Sequence, residues 1–264
     1  LLENVYEDIK NDVKYTIDTT QNITMVLNGW SNINREAVQN FISCLPNLVF
    51  YDAIFSGEAH HTAEWIAIQI SAKMKEIGIQ KFSSVITDTA ANMKAAWKII
   101  EEKYPHIICL GCSLHVINLL IGDILKIDKI KLVIENAKTI VKYFRDHHIP
   151  MAKLRCIQKE NYGKEIALVL PIITRWGTHL DCIKSLLESQ TAIQQMLFDQ
   201  STASLEIRIK AQLCSDEFWD DLKIVINILQ PIVSTLKAFE ANNSTISTTY
   251  SRFNTILTEV QKVE

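Results

Sequence analysis

Short apolar runs bounded by turn-forming residues follow a polar, charge-mixed helical stretch over residues 1–20. Three of these runs come in succession, at about 23–28, 37–45 and 48–55, and they are rich in Ile, Val and Phe. Runs of this length and composition predict β-strands. Asn28-Gly29 is a strong turn signal, so the first strand is expected to end there. The second and third runs flank Pro46-Asn47 and predict an antiparallel pair.

Helical periodicity then alternates with two further apolar runs. Apolar residues spaced three or four apart predict a helix over about 62–77, with Gly78 as its C-cap. Buried strands are expected at about 82–87 and 107–110, separated by a helix that stops before Pro105. The predicted order, β-β-β-α-β-α-β-α, gives an α/β fold with a mixed five-stranded sheet flanked by helices. This is the arrangement of the ribonuclease H-like fold.

Beyond His115 the pattern is almost entirely helical, which indicates a C-terminal all-helical region. We therefore expect an N-terminal helix at 1–20, a ribonuclease H-like core at 21–180 and a helical insertion-type domain, truncated here, at 181–264. Within the helical part, residues 153–163 are expected to form a loop or weak helix. Residues 180–198 are expected to form one helix, and Pro231 to kink or interrupt another.

Composition narrows the class of protein. Of the 264 residues, 48% are hydrophobic and 22% are charged, as in ordinary folded soluble proteins. The net charge of −3 gives no global basic field, so nucleic-acid contact would need a local patch. No apolar run is long enough to predict a membrane span. Free thiols in a reducing compartment are expected from six scattered cysteines, Cys44, Cys109, Cys112, Cys156, Cys182 and Cys214.

One acidic residue stands where the fourth predicted strand ends. Asp88 precedes a helix, so it is a candidate helix cap. Strands one and four are neighbours in the predicted topology, however, and Asn28 ends strand one. Enzymes that use two metal ions for phosphoryl transfer need acids at such strand ends. Asn28 is nearly isosteric with Asp but brings no negative charge.

A second cluster lies around the start of the helix that follows the last predicted strand. Cys109, Cys112 and His115 are spaced three apart, and one alternative takes them as zinc ligands. The sequence offers no evident fourth ligand, and free cysteine is among the most buried residues. We therefore favour a structural role for Cys112 and His115.

Four motifs in order carry a resemblance to the hAT superfamily of transposases. The chain is most similar to the domain of unknown function that occurs in hAT-derived proteins, often downstream of a BED zinc finger. The motifs are Leu27-Asn28-Gly29-Trp30-Ser31-Asn32, Val85-Ile86-Thr87-Asp88-Thr89-Ala90-Ala91-Asn92, Cys112-Ser113-Leu114-His115 and Thr174-Arg175-Trp176.

The resemblance implies roles for individual residues. Asp88 matches a metal-binding acid of the family, and Asn28 stands where the first acid would be. The family's third acid lies towards the carboxyl end, where Glu240 is the nearest but unconvincing candidate. The resemblance also implies a structural motif near the site, formed by Trp30, Asn92, Cys112 and His115. It implies a DNA-facing role for Arg175 and Trp176. Without the resemblance, these two residues would be interpreted as a surface arginine and a core tryptophan.

The expected function is that of a domesticated, catalytically inactive hAT transposase-like domain that binds DNA or proteins in the nucleus. No cofactor is expected, and Mg²⁺ or Mn²⁺ would be needed only if the domain were active. The resemblance also implies a homodimer formed through a C-terminal segment absent here. Two alternatives remain open: an active DNA transposase or nuclease fragment, and a protein-interaction scaffold.

Overall fold

The computed structural model describes residues 2–45, 48–172, 177–198, 205–240 and 245–263. It confirms the predicted fold class, because one mixed five-stranded sheet flanked by helices is followed by a helical region. By packing, the chain divides into two compact units, Leu1–Val116 and Ile117–Glu264. The division at residues 20 and 180 was inferred from motif order and stays a prediction.

The first unit contains the sheet. In chain order its elements are α1 (Leu2–Thr19), β1 (Ile23–Ser31), β2 (Ala37–Cys44), β3 (Leu48–Phe55), α2 (Ala63–Ile77), β4 (Phe82–Thr87), α3 (Ala91–Lys103) and β5 (Ile108–Gly111). Helix α4 (Ser113–Ile124) begins in this unit and ends in the second. Each strand predicted from the sequence is present within three residues of its expected bounds.

The strand order is β3-β2-β1-β4-β5. Strand β1 pairs antiparallel with β2, and β2 pairs antiparallel with β3. On its other side β1 runs parallel to β4, which in turn runs parallel to β5. The carboxyl ends of β1, β4 and β5 therefore meet at one edge of the sheet.

Asn28-Gly29 does not form the predicted turn. Strand β1 continues through both residues to Ser31, because Asn28 lies opposite Asn40 in the antiparallel ladder with β2. The chain reverses later, where Asn32 Oδ1 accepts hydrogen bonds from the amides of Asn34 (3.0 Å) and Glu36 (2.9 Å). An asparagine side chain that mimics a backbone turn in this way replaces the Asn-Gly turn.

One face of the sheet and its helices enclose the core of the first unit. Helix α2 is positioned by its N-cap, Thr62, whose hydroxyl accepts a hydrogen bond from the Trp65 amide at 3.2 Å. Each fully buried aliphatic or aromatic side chain contributes roughly 1.5–3 kcal/mol. The core side chains without measurable exposure include Ile23, Met25, Phe41, Ile66, Ile70, Met74, Val85 and Ile100.

The second unit is helical throughout its regular structure. After α4 its described helices are α5 (Asp128–Asp146), α6 (His148–Tyr162), α7 (Thr178–Glu188), α8 (Gln190–Phe198), α9 (Ile207–Leu213), α10 (Asp216–Phe239) and α11 (Ile246–Val260). Helix α10 packs against α5, α7, α9 and α11. Trp219 is its largest buried side chain, and the indole donates a hydrogen bond to the Leu213 carbonyl at 2.9 Å.

Three helical predictions need correction. Residues 153–163 belong to a regular helix, since Pro150 lies in the first turn of α6, where proline is tolerated, and Gly163 caps it in a left-handed conformation. The helix expected over 180–198 is divided at Ser189 into α7 and α8. Helix α10 continues through Pro231, so the expected interruption is wrong, while the alternative of a kink stays a prediction.

Helix α10 has the length and apolar composition of a membrane span, although the sequence predicted none. Its apolar residues are spaced along one face, and Phe218, Leu222, Val225 and Leu229 are buried within the second unit. A core helix of a helical bundle shows the same pattern.

Candidate functional site

The structure places Asn28 and Asp88 at the same end of adjacent parallel strands. The β1–β4 ladder ends with Val26 opposite Ile86. Two residues later the chain reaches Asn28 within β1 and Asp88 directly after β4. The Asn28 side chain is exposed, and Asp88 is half-buried. This is the juxtaposition that the sequence predicts, and the roles of both residues stay predictions.

Asp88 organises the turn between β4 and α3 without being the helix cap. Its Oδ1 atom accepts a hydrogen bond from the Ala90 amide at 2.8 Å, which closes a turn two residues long. The N-cap residue of α3 is Ala90, which has no side chain able to cap. Among the described residues, Asp88 Oδ2 has no hydrogen-bond partner. One carboxylate oxygen therefore remains available at the edge of the sheet.

Thr87, immediately before Asp88, is fixed from two sides. Its hydroxyl accepts a hydrogen bond from the Trp97 indole at 3.0 Å and donates to the Asp88 carbonyl at 2.7 Å. Its own carbonyl accepts from the Cys112 amide at 2.7 Å. These contacts join β4, α3 and the start of α4, so the backbone that carries Asp88 has little freedom.

Asn92 connects α3 to the loop that precedes α2. Its Nδ2 atom donates to the His61 carbonyl at 2.9 Å. Ser56 donates its hydroxyl hydrogen to the Ala37 carbonyl at 3.1 Å, so His61 Nε2 is the donor in the 2.7 Å contact with Ser56 Oγ. The ring of His61 also stacks on Trp65, with centroids 5.0 Å apart.

These partners of Asn92 were not evident from the sequence. The sequence alone predicts that His60-His61 are solvated cap or loop residues, and nothing in the spacing indicates a bond between His61 and Ser56. Only the position of Ser56 directly after a strand would have suggested a structural hydroxyl. The chain of hydrogen bonds supports a positioning role for Asn92.

Cys112 and His115 lie at the start of α4, both half-buried. The Cys112 carbonyl accepts the first helical hydrogen bond, from the Val116 amide at 3.1 Å. Cys109 is buried on β5, and burial, followed by the charge of Glu101, raises the pKa of its thiol to about 12. A raised thiol pKa opposes metal ligation, because the thiolate is the ligand.

The donor set does not fit a metal site. Among the described residues, no three His, Cys, Asp or Glu side chains are grouped as metal ligands. At the sheet edge, Asp88 offers one carboxylate and Asn28 a neutral amide. Glu240, considered as a third acid, is the C-cap residue of α10 in the second unit.

The remaining predicted residues differ in how far the structure describes them. Trp30 is 48% exposed on β1, where it lies opposite Val38. This exposed indole lies two residues after Asn28 on the same strand and is available for stacking. Arg175 and Trp176, with Thr174, lie outside the described residues, so their DNA-facing role stays a prediction.

Comparison with protein families gives one match, which covers the whole of the first unit and extends into the second. Residues 1–140, more than half of the chain, match the family described as Domain of unknown function (DUF659). This domain is found in hAT-type transposase-like proteins. A search of curated proteins gave no significant match. On the extent of the family match, the chain belongs to the DUF659 family.

Proposed function

We propose that this chain is a hAT transposase-derived domain whose DNA-cleavage centre is incomplete and which serves as a nucleic-acid-binding module. Family membership supports the lineage, and the sheet supports the location of the former centre. The observation that carries the proposal is the neutral side chain of Asn28 beside Asp88, at adjacent strand ends.

Charge is the physical reason why the substitution matters. Divalent cations such as Mg²⁺ and Mn²⁺ prefer anionic oxygen ligands, and two-metal catalysis holds two such ions about 3.5–4 Å apart. Asn28 supplies at most one neutral carbonyl oxygen. A single carboxylate beside a neutral amide leaves most of the charge of two divalent ions without compensation.

The proposal is tested by restoring the acid. Mn²⁺ titration of Asn28→Asp should show a site absent from the wild type, with affinity raised at least about tenfold, the equivalent of roughly 1.4 kcal/mol. The double variant Asn28→Asp/Asp88→Asn should lose that site, because Asp88→Asn keeps the Oδ1 acceptor for the Ala90 amide while removing the charge.

A matched control adds the same charge elsewhere. Asn34 is exposed in the β1–β2 turn, outside both strands, so Asn34→Asp changes the net charge equally away from the position of Asn28 on β1. Equal gains in Mn²⁺ affinity for Asn34→Asp and Asn28→Asp would mean that no local site was rebuilt. Metal-dependent DNA cleavage by the wild type, abolished by Asp88→Asn, would contradict the loss of catalysis and favour the active alternative.

A further inference from the structure

Helix α5 carries two separate stripes of side chains. Its apolar stripe is buried within the second unit and consists of Ile130, Val133, Ile134, Ala137, Ile140, Val141 and Phe144. A second stripe, here called the basic stripe, consists of Lys131, Lys138, Lys142 and Arg145. The two stripes share no residue, so the positive charges are not a by-product of core packing.

The residues of the basic stripe lie on one helix face because of their spacing, and Glu135 lies among them between Lys131 and Lys138. The stripe's residues follow one another at intervals of seven, four and three, which keeps them on one face of an α-helix. From Lys131 to Arg145 the stripe extends about 21 Å at a rise of about 1.5 Å per residue. Along the same length one strand of B-DNA carries about six phosphates.

The charges of the basic stripe are largely uncompensated. Lys131, Lys142 and Arg145 are exposed and have no ion-pair partner among the described residues. Lys138 alone is paired, with Glu135 at 3.0 Å. By contrast Lys129, on another face of α5, pairs with Asp221 of α10 at 3.0 Å.

Two cations of the neighbouring helix α6 are also paired with a carboxylate, as Lys129 is. On α6, Arg155 and Lys159 both contact the carboxylate of Glu165, at 3.5 Å and 2.9 Å. Other cations of the second unit, such as Arg208 and Lys210, also have no ion pair among the described residues. What distinguishes the basic stripe is that three such cations share one face of one helix.

Holding like charges together has an energetic cost. Lys138 and Lys142 are four residues apart, and Lys142 and Arg145 three apart, so each pair is destabilising by roughly 0.2–0.5 kcal/mol. In a chain of net charge −3, helices α5 and α6 contain eight Lys and Arg against four Asp and Glu. A polyanion laid along the stripe would relieve this repulsion.

We infer that the basic stripe of α5 docks the phosphate backbone of a nucleic acid. The inference rests on the proposed nucleic-acid-binding function and deepens it by naming the surface, and it uses no residue of the Asn28–Asp88 edge. Lysines and an arginine on one helix face contact phosphates without reading bases, so binding is insensitive to sequence and strongly dependent on salt.

The test compares two triple variants of the full chain. Binding to a fluorescein-labelled 20-base-pair duplex of arbitrary sequence is followed by anisotropy between about 50 and 200 mM salt. The test variant is Lys131→Gln/Lys142→Gln/Arg145→Gln. The control, Lys75→Gln/Lys94→Gln/Lys98→Gln, removes the same charge from exposed helical lysines of the first unit that have no ion pair among the described residues.

The expected result is a change in salt dependence. Each phosphate contact contributes about 0.9 to the slope of log affinity against log salt, so the test variant should lose about 2.7 from the wild-type slope. Affinity near 100 mM salt should fall at least about tenfold. The control variant should keep the slope and affinity of the wild type, and circular dichroism should show all three proteins equally helical.

Three outcomes would overturn the inference: no duplex binding by the wild type near 50 mM salt, equal weakening by the two triple variants, or equal binding of polyglutamate and duplex by the wild type. The last would make the stripe a general acidic-polymer surface. None of these outcomes bears on Mn²⁺ binding by Asn28→Asp, so failure of the stripe and failure of the proposed cleavage centre are separable.

Discussion

Gly111 permits the close approach between the end of β5 and the turn that carries Asp88. A β-carbon at this position would lie 2.7 Å from Thr89 Cγ2 and 3.6 Å from the Trp97 ring. The first distance is shorter than carbon atoms tolerate, so a side chain at 111 must displace Thr89. A glycine thus fixes the geometry of the candidate site without any polar group of its own.

Replacing Gly111 should reveal this contact. We expect Gly111→Ala to lower the free energy of unfolding by about 1–3 kcal/mol through overpacking, measured by urea denaturation. Thr89→Ser removes the obstructing methyl group, so the double variant Gly111→Ala/Thr89→Ser should recover part of the loss. Additive effects of the two substitutions would show that the Thr89 methyl group is not the obstacle.

Sequence reasoning reaches some residues of the site and not others. The approach of Asn28 to Asp88 follows from two predicted parallel strands, since carboxyl ends of neighbouring strands meet. The bond from Trp97 to Thr87 depends on how α3 rotates over the sheet, and no spacing in the sequence encodes that rotation. Local patterns therefore predict which strand ends meet, while side-chain partners require the packed structure.

At the scale of elements, helix α10 shows how packing outweighs a local signal. Pro231 has no amide hydrogen to donate, and its ring opposes the preceding turn, which disfavours a helix interior by about 3 kcal/mol. Yet the helix spans Asp216–Phe239, with Leu229, Ile232 and Val233 buried on either side of Pro231. Burial of these side chains on both sides of Pro231 offsets the cost of the proline and keeps the helix unbroken.

Removing the proline should therefore stabilise the second unit. We expect Pro231→Ala to raise the free energy of unfolding by about 1–2 kcal/mol, because the gain in helix propensity exceeds the greater entropy of the unfolded chain. Pro231→Gly should gain less, since glycine is about 1 kcal/mol poorer than alanine in a helix. A loss of stability in both variants would show that the proline ring fills space in the bundle. Urea denaturation followed by the helical signal in circular dichroism measures these changes.

Strand and helix ends were the least predictable parts of the fold. Asn28-Gly29 has the composition of a tight turn, but pairing with β2 carries the strand past it, and Asn32 makes the reversal instead. Similarly, the polar composition of residues 153–163 gives little helical signal, but these residues belong to a helix that starts at His148 and buries Leu154 and Ile157. In both places contacts distant in sequence decide the outcome.

At the scale of the whole molecule, each unit contains a buried thiol. Cys109 lies in the first unit and Cys182 in the second, and burial raises the pKa of each to about 12 from an ordinary 9.0. Below pH 9 both thiols are protonated in the folded and unfolded states. Above it the unfolded chain loses these protons first, so their contribution to stability is lost as the pH rises towards 12.

Stability should therefore fall in alkaline solution, and the two cysteines should account for part of the fall. We expect the wild type to lose more free energy of unfolding between pH 7.5 and 10.5 than Cys109→Ala/Cys182→Ala, as measured by urea denaturation. Cys156→Ala/Cys214→Ala, which changes two exposed thiols, should behave as the wild type does. Tyr51, whose pKa burial and Glu76 raise to about 12, acts in the same direction in all three proteins. Identical alkaline losses in all three would contradict a role for the buried thiols.

Strand β1 extends beyond the end of its parallel neighbour β4. The last residues of β1 therefore form an edge within the sheet. Beyond Val26 the strand keeps β2 on one side, while its described ladder with β4 has already ended. The residues from Asn28 to Ser31 are exposed, and the described sheet pairs them with no strand on the β4 side. Unpaired groups of this kind are a template for an added strand.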